Sequence, residues 1–118
     1  MFKSILNKFS KSQEVEPINL AGLNADMHSH LIPGIDDGAK TVEDSIELIR
    51  ILHGLGYSKL VTTPHIMSDY FRNTPENINE GLALVRAALK TENIPVEISA
   101  AAEYYIDDGF IRKLEEEP

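Results

Sequence analysis

The feature that most constrains the fold of this chain is a regular alternation of strand-type and helix-type segments. The β-favouring segments are the run beginning at Asp26, residues 59–63 and residues 95–102. Each is separated from the next by a longer segment with apolar residues at helical spacing. Strand–helix alternation predicts parallel strands joined by crossover helices, which is an α/β fold.

Each strand-type segment precedes a recognisable helix start. Thr41 stands before two acidic residues, and the apolar pattern that follows continues to the glycines at 54 and 56. A threonine–proline pair at residues 74–75 opens the second helix, with proline at the first helical position. We expect a third helix to begin at Asp107 or Asp108, because either aspartate can cap it.

Polar side chains lie at the ends of these strand-type segments. Parallel α/β folds bind ligands beyond the carboxyl ends of their strands. The residues expected at those ends are His28 and His30, His65, and Glu103. Asp26 alternates with the first two histidines, so an extended strand would place all three on one face. Imidazole and carboxylate together suit zinc, manganese or iron, whereas an all-oxygen site suits magnesium or calcium.

Some of these residues also have a purely structural explanation. Asp36 and Asp37 precede Gly38 in a turn-forming run, so we assign Asp36 to the turn and leave Asp37 open between turn and ligand. His65 follows a proline at a strand end and, on its own, fits either explanation. Glu103 ends a small, apolar run, where an unpaired carboxylate is costly to bury, and this favours a ligand.

Three further polar residues lie near this region of the sequence. His53 is close to a helix C-terminus, where a solvated histidine is favourable, so we leave it out of the site. Tyr70 and Arg72 lie in the loop after His65 and are candidate substrate contacts. An ordinary surface position is the alternative for both.

Composition excludes several classes of function. The net charge of -8 argues against a nucleic-acid backbone as the principal partner. The 118 residues include no cysteine, which excludes disulfides, thiolate metal ligands and a cysteine nucleophile within this chain. No run of about 18 apolar residues is present, and the N-terminus lacks the apolar core of a secretory signal. Cytoplasmic residence is therefore the default expectation.

Residues 1–23 differ in character from the rest of the chain. Phe2, Ile5, Leu6 and Phe9 recur at helical spacing among lysines, which predicts a short amphipathic helix followed by a polar linker. We expect this helix to dock on its own domain or on a neighbouring subunit, with a membrane-surface anchor as the alternative. We expect residues 24–118 to form a separate domain portion that carries the candidate metal ligands.

Four motifs occur in a fixed order along residues 26–105. They read DMHSH at 26–30, PGIDDGAK at 33–40, TPH at 63–65 and AEYY at 102–105. This order closely resembles the N-terminal half of the polymerase-and-histidinol-phosphatase (PHP) family of metallohydrolases. Within that family, it resembles the bacterial manganese-dependent protein-tyrosine phosphatases of capsular and exopolysaccharide loci. The resemblance extends from Asp26 to about Leu114.

The resemblance carries expectations for fold and metal ligands. It implies the N-terminal part, about three βα units, of a distorted TIM-like (β/α) barrel. Such a barrel takes about 250 residues, so we expect a fragment of a longer protein or a shortened copy. By position, His28 and His30 would bind one metal ion, and Glu103 would bridge it to a second. Asp37 and His65 would bind a third ion.

The remaining expectations concern cofactor, reaction and partners. Asp26 would orient the histidine rings. The implied cofactor is manganese, as two or three divalent ions, with zinc and iron as alternatives. The implied reaction is hydrolysis of phosphotyrosine by metal-activated water, and the implied substrates are tyrosine kinases that control polysaccharide synthesis. Peripheral association with the inner face of the membrane and homo-oligomerisation stay open.

Two other functions remain possible on the sequence. One is another phosphoesterase activity of the PHP family, of the histidinol-phosphatase kind. The other is a non-catalytic, truncated fragment that binds metal weakly or serves as an assembly module. The family's ligands from the second half of the barrel are absent from these residues, and that absence favours the fragment.

Overall fold

The computed structural model describes residue 16 and residues 18–116. The amphipathic helix expected within residues 1–11 lies outside the described residues, so it stays a prediction, as does the domain boundary at residue 23. In chain order the elements are β1 (Ala25–Ser29), α1 (Val42–Gly54), β2 (Lys59–Thr62), β3 (His65–Ile66), α2 (Pro75–Thr91), β4 (Glu97–Ala100), β5 (Glu103–Tyr104) and α3 (Asp108–Glu116). Within the described range, no helix has the length and apolar character needed to cross a membrane.

The strands form two short parallel sheets. The first has the order β1–β2–β4, and the second pairs β3 with β5. Consecutive strands of the first sheet are joined through α1 and α2, as the alternation along the chain predicts. The prediction of an α/β fold with parallel strands is confirmed.

The third strand is shorter than expected from the sequence. Instead of running through residues 95–102, it divides into β4 and β5, and β3 similarly follows β2. Pro64 has no N–H to donate, so the regular ladder stops there. Backbone hydrogen bonds still cross the gap, from Ala101 N to Thr62 O and from Glu103 N to Pro64 O. The second sheet therefore continues the first, and it begins at His65 and Glu103.

Strand β1 contains an irregularity beside the histidines. Asp26 pairs with Leu60 and Ser29 pairs with Thr62, so three residue steps along β1 match two along β2. An extra residue of this kind bends a strand and redirects its side chains. The simple alternation expected for Asp26, His28 and His30 is interrupted by this bulge.

Both long helices begin where the sequence predicts them. Thr41 accepts a hydrogen bond from Asp44 N while the Asp44 side chain accepts one from Thr41 N, which is a capping box. Thr74 and Asn77 make the same arrangement in front of α2. The core comprises Leu31, Ile32, Ile46, Ile49, Leu60, Ile78, Leu82, Val85, Leu89 and Ile98. Each such side chain contributes about 1.5–3 kcal/mol when fully buried, so this layer holds the strand ends in place.

Candidate metal centre

One carboxylate oxygen lies at the centre of the candidate site. Glu103 Oε2 is 3.6 Å from His28 Nε2, 3.5 Å from His30 Nε2 and 3.3 Å from His65 Nδ1. The same oxygen is buried and has no hydrogen-bond partner among the described residues. Buried polar atoms are rarely left without a partner. Three ring nitrogens around an unsatisfied carboxylate oxygen fit a divalent metal ion, because imidazole and carboxylate are the donors that such ions bind.

Two overlapping groups of three residues have this ligand chemistry. The first triad is His28, His30 and Glu103, and the second triad is His30, Asp37 and His65. Within each triad the ligand atoms lie within 4.8 Å of one another. In the second triad, Asp37 Oδ1 is 3.4 Å from His65 Nε2. The structure thus brings all five sequence-predicted ligand residues to one place, although their role as ligands is a separate proposal.

Asp36 holds the ring of His30. Its Oδ2 is 2.8 Å from His30 Nδ1 and accepts a hydrogen bond from His65 N, while its Oδ1 accepts one from Gly38 N. Burial raises the pKa of Asp36, but the hydrogen bonds from His30, Gly38 and His65 outweigh it, so the pKa is lowered overall. With Nδ1 donating to this carboxylate, Nε2 is left to face Glu103. Sequence reasoning assigned Asp36 to the turn and missed this second contact.

The other ring-orienting contact also comes from a residue that the sequence did not indicate. Thr63 Oγ1 lies 3.2 Å from His28 Nδ1, across the boundary between β1 and β2. Asp26, in contrast, has no hydrogen bond to either histidine, and its Oδ2 is buried without a partner among the described residues. The orienting role of Asp26 therefore stays a prediction.

The loop after β1 folds back against His30. Gly34 has φ 74°, Gly34 N donates to Ala39 O, and Ala39 N donates to His30 O. A Cβ at Gly38 would overlap the backbone oxygen and Cβ of His30. Only glycine therefore fits at residue 38, and this close approach delivers the preceding Asp36 and Asp37 to the histidines.

The ring of His65 contacts two other rings. Phe71 stacks on it with centroids 5.4 Å apart, and the His30 ring lies at 4.5 Å, tilted by 37°. Tyr70 is 80% exposed and touches the edge of Phe71, and Arg72 Nε donates to Ser68 O. Tyr70 and Arg72 belong to neither triad, so their contact with substrate stays a prediction. Phe71 was missed because a single aromatic residue in a loop carries no distinctive signal.

His53 lies apart from this centre. Its Nδ1 is 3.1 Å from Tyr57 O, at the end of α1. It belongs to neither triad. It is therefore a useful control histidine for experiments on the centre.

Comparison with protein families gives a match over most of the chain. The matching model is described as capsular polysaccharide synthesis, CpsB/CapC, and it covers residues 24–118. Among curated proteins, the tyrosine-protein phosphatase YwqE of Bacillus subtilis (strain 168) is 32% identical over 81 residues, which are 69% of this chain and 32% of YwqE. The tyrosine-protein phosphatase CpsB of Streptococcus pneumoniae is 32% identical over 90 residues, 76% of this chain and 37% of CpsB.

A solved structure matches as well. It belongs to a study of YwqE from Bacillus subtilis and CpsB from Streptococcus pneumoniae, described there as metal-dependent tyrosine phosphatases. The TM-score is 0.70 at 29% identity, with 78% of this chain and 37% of the other covered. This chain therefore spans about a third of the length of the relatives that it matches.

Proposed function

Because the chain belongs to the CpsB/CapC family of capsular polysaccharide synthesis, we propose that it is part of a metal-dependent protein-tyrosine phosphatase. The observation that carries the proposal is Glu103 Oε2, which is surrounded by three imidazole nitrogens and hydrogen-bonded to none of the described residues. The printed names of YwqE and CpsB, both tyrosine-protein phosphatases, support the substrate class. The proposed substrates are phosphotyrosine-containing kinases that regulate capsular and exopolysaccharide synthesis.

The five residues of the two triads would hold the metal. His28 and His30 would supply imidazoles to one ion, Glu103 would link it to a second, and Asp37 and His65 would supply a carboxylate and an imidazole to a third. Manganese is the proposed cofactor, as two or three ions, with zinc and iron as alternatives. When bound, such ions offset the charge of a phosphate group and increase the acidity of water.

The protein's own side chains prepare the site for a phosphate monoester. Asp36 and Thr63 fix the rings of His30 and His28 through their Nδ1 atoms, which leaves Nε2 of each ring directed at Glu103. The side chains of His28 and Asp37 are 63% and 68% exposed, so the centre is open to a substrate from solvent. We assign Tyr70 and Arg72 to substrate contact, because they flank Phe71, which stacks on His65.

We propose that residues 24–118, with their βα units, form the N-terminal part of a TIM-like barrel of PHP type. The parallel strand order and the position of the candidate site at the carboxyl ends of the strands support this. The start of the family match at residue 24 supports a separate segment at residues 1–23. Cytoplasmic location, membrane association and homo-oligomerisation stay predictions.

The test is manganese-dependent hydrolysis of a phosphotyrosine peptide by the 118-residue chain, with metal analysis of the same samples. We expect release of phosphate that His28→Ala abolishes and His53→Ala leaves unchanged. Equal turnover of a small alkyl phosphate would instead favour a histidinol-phosphatase-like activity. Bound metal without hydrolysis would indicate that this third of the relatives' length supplies ligands but not turnover, and absence of both would overturn the proposal.

A further inference from the structure

A single side-chain amide bonds the two backbone segments that carry the second triad. Asn73 Nδ2 donates to Ile35 O at 2.9 Å and to His65 O at 2.8 Å. Ile35 lies two residues before Asp37, and His65 is itself a member of the triad. Both hydrogens of one NH₂ group are therefore used to hold the Asp37 loop against the start of β3.

A hydrogen bond from helix α2 fixes the orientation of this amide. Asn73 Oδ1 accepts a hydrogen bond from Asn77 Nδ2 at 2.8 Å. Asn77 belongs to the first turn of α2, where its Oδ1 accepts from Thr74 N in the capping box. Because the oxygen of Asn73 is engaged by the helix, its NH₂ group must point toward the two carbonyls. The amide thus links the start of α2 to the candidate metal centre.

Among the described residues, Asn73 forms hydrogen bonds to the backbone segments that carry the second triad and none to His28, His30 or Glu103. Among the described residues, its hydrogen-bond partners are the carbonyls of Ile35 and His65 and the side chain of Asn77. The rings of His28 and His30 are held instead by Thr63 and Asp36, and Glu103 N donates to Pro64 O. Removal of the Asn73 amide should therefore act on Asp37 and His65 first.

We infer that Asn73 is a positioning residue that assembles the second triad by fixing the Asp37 loop to the His65 strand. The first triad depends on it only through the shared His30, whose ring is held by Asp36. The inference rests on the proposed function only in that the triads bind metal. Residues that orient metal ligands typically change metal affinity by about 10–100-fold when they are replaced.

The most specific variant is Asn73→Asp, because it changes little besides the donor group. It keeps the shape of the side chain and the Oδ1 that accepts from Asn77, but it replaces the donor with an oxygen facing two carbonyl oxygens. Asn79→Asp is the matched control, because it makes the same chemical change on an exposed position of α2. Asn73→Ala removes the donor without adding charge. It replaces Asn73→Asp in both measurements if Asn73→Asp does not fold.

The first measurement is a manganese titration of the full chain, followed by metal analysis and by the electron paramagnetic resonance signal of neighbouring Mn²⁺ ions. We expect Asn73→Asp and Asn73→Ala to weaken one ion by about 10–100-fold and to remove the coupled signal. The other ion should be weakened less, and both ions should keep their affinity in Asn79→Asp. Equal weakening of both ions, or no change in either, would overturn the inference.

The second measurement uses metal-free protein, so it separates this inference from the proposed function. We expect Asn73→Asp and Asn73→Ala to accelerate hydrogen exchange at the amides of Gly38 and His65, which both donate to Asp36. Exchange within α1 should stay unchanged. If the wild-type chain binds no metal, the proposed function is wrong. The exchange pattern then tests the role of Asn73 on its own. Unchanged exchange at Gly38 and His65 would then contradict it.

Discussion

Glu103 illustrates how a candidate metal ligand lowers the stability of the metal-free fold. Its Oε2 is buried without a hydrogen bond among the described residues, although three ring nitrogens lie within 3.6 Å. An unpaired buried acceptor generally costs about 1–3 kcal/mol. A bound metal ion would satisfy this oxygen.

Replacing Glu103 with glutamine should separate stability from metal binding. We expect Glu103→Gln to lower manganese affinity at least about tenfold, because the amide carries no charge to attract the ion. The metal-free protein should be at least as stable as the wild type, since the uncompensated carboxylate has gone. Urea unfolding in the presence of a chelator and manganese titration would measure the two effects. A loss of stability without metal would contradict this explanation.

The candidate ligands were predictable from the sequence, but the residues that orient them were not. His28, His30 and Glu103 have recognisable residue types at recognisable positions, and the structure brings them together. Thr63 contacts a histidine 35 positions away, and its place in the TPH motif gives no sign of such a contact. The bulge in β1 depends on pairing with β2, so the alternation of residues 26–30 could not reveal it.

At the scale of elements, the features that depend on neighbouring residues were predictable from the sequence, and those that depend on distant contacts were not. The starts of α1 and α2 depend on Thr41 and Thr74 and on residues within the next turn, so the sequence located both. The two-residue strands β3 and β5 exist only because they pair with each other. Their formation depends on contacts between distant segments, which local propensity does not encode.

Helix α3 provides a pH-dependent test at this scale. Asp107 accepts hydrogen bonds from Phe110 N and Ser68 N, and these lower its pKa below the ordinary 3.8. Because α3 buries no residue, it should depend strongly on this cap. We expect Asp107→Ala to reduce the helicity of α3, measured by NMR, at neutral pH.

The sign of the pH dependence follows from the lowered pKa. The stabilisation by ionised Asp107 is fully present above pH 3.8 and is lost as the pH falls through the lower pKa of the folded state. The difference between wild type and Asp107→Ala should therefore disappear in acid. Asp107→Asn, which keeps an acceptor oxygen, should preserve the helix and remove most of the pH dependence. A difference that persists unchanged in acid would exclude the charged cap as its cause.

The packing of α2 on the segment after β1 gives a second test. A Cβ at Gly81 would overlap Cγ2 of Ile32. Gly81→Ala should therefore destabilise the protein by about 1–3 kcal/mol despite the better helix propensity of alanine. Ile32→Leu removes the Cγ2 branch, so the double variant should recover much of the loss in a urea-unfolding cycle. Additive effects of the two changes would contradict the overlap.

At the scale of the whole molecule, the candidate centre joins segments that are distant in sequence. Its five residues come from β1, the loop that follows β1, and the starts of β3 and β5. Only the folded chain brings these ligands together. Metal binding at this candidate centre would therefore be linked to folding.

This linkage predicts stabilisation by metal. At a free manganese concentration of about 100 times the dissociation constant, a single site adds about 2.7 kcal/mol to the free energy of unfolding. His30→Ala should remove this increment, because His30 belongs to both triads, whereas His53→Ala should keep it. Thermal unfolding with and without manganese would measure the increment. An equal increment in the His30→Ala variant would place the ion elsewhere.

The parallel pairing of the strands also determines the order in which the chain can fold. Residue 25 pairs with residue 59 and residue 59 with residue 97, so each ladder of the first sheet must wait for an intervening helix. Closing such long loops costs entropy before any pairing is gained. We expect α1 and α2 to form first from their local caps. The candidate ligands come together only when the strands pair, so closure of the loops between the strands governs the rate at which the candidate centre forms.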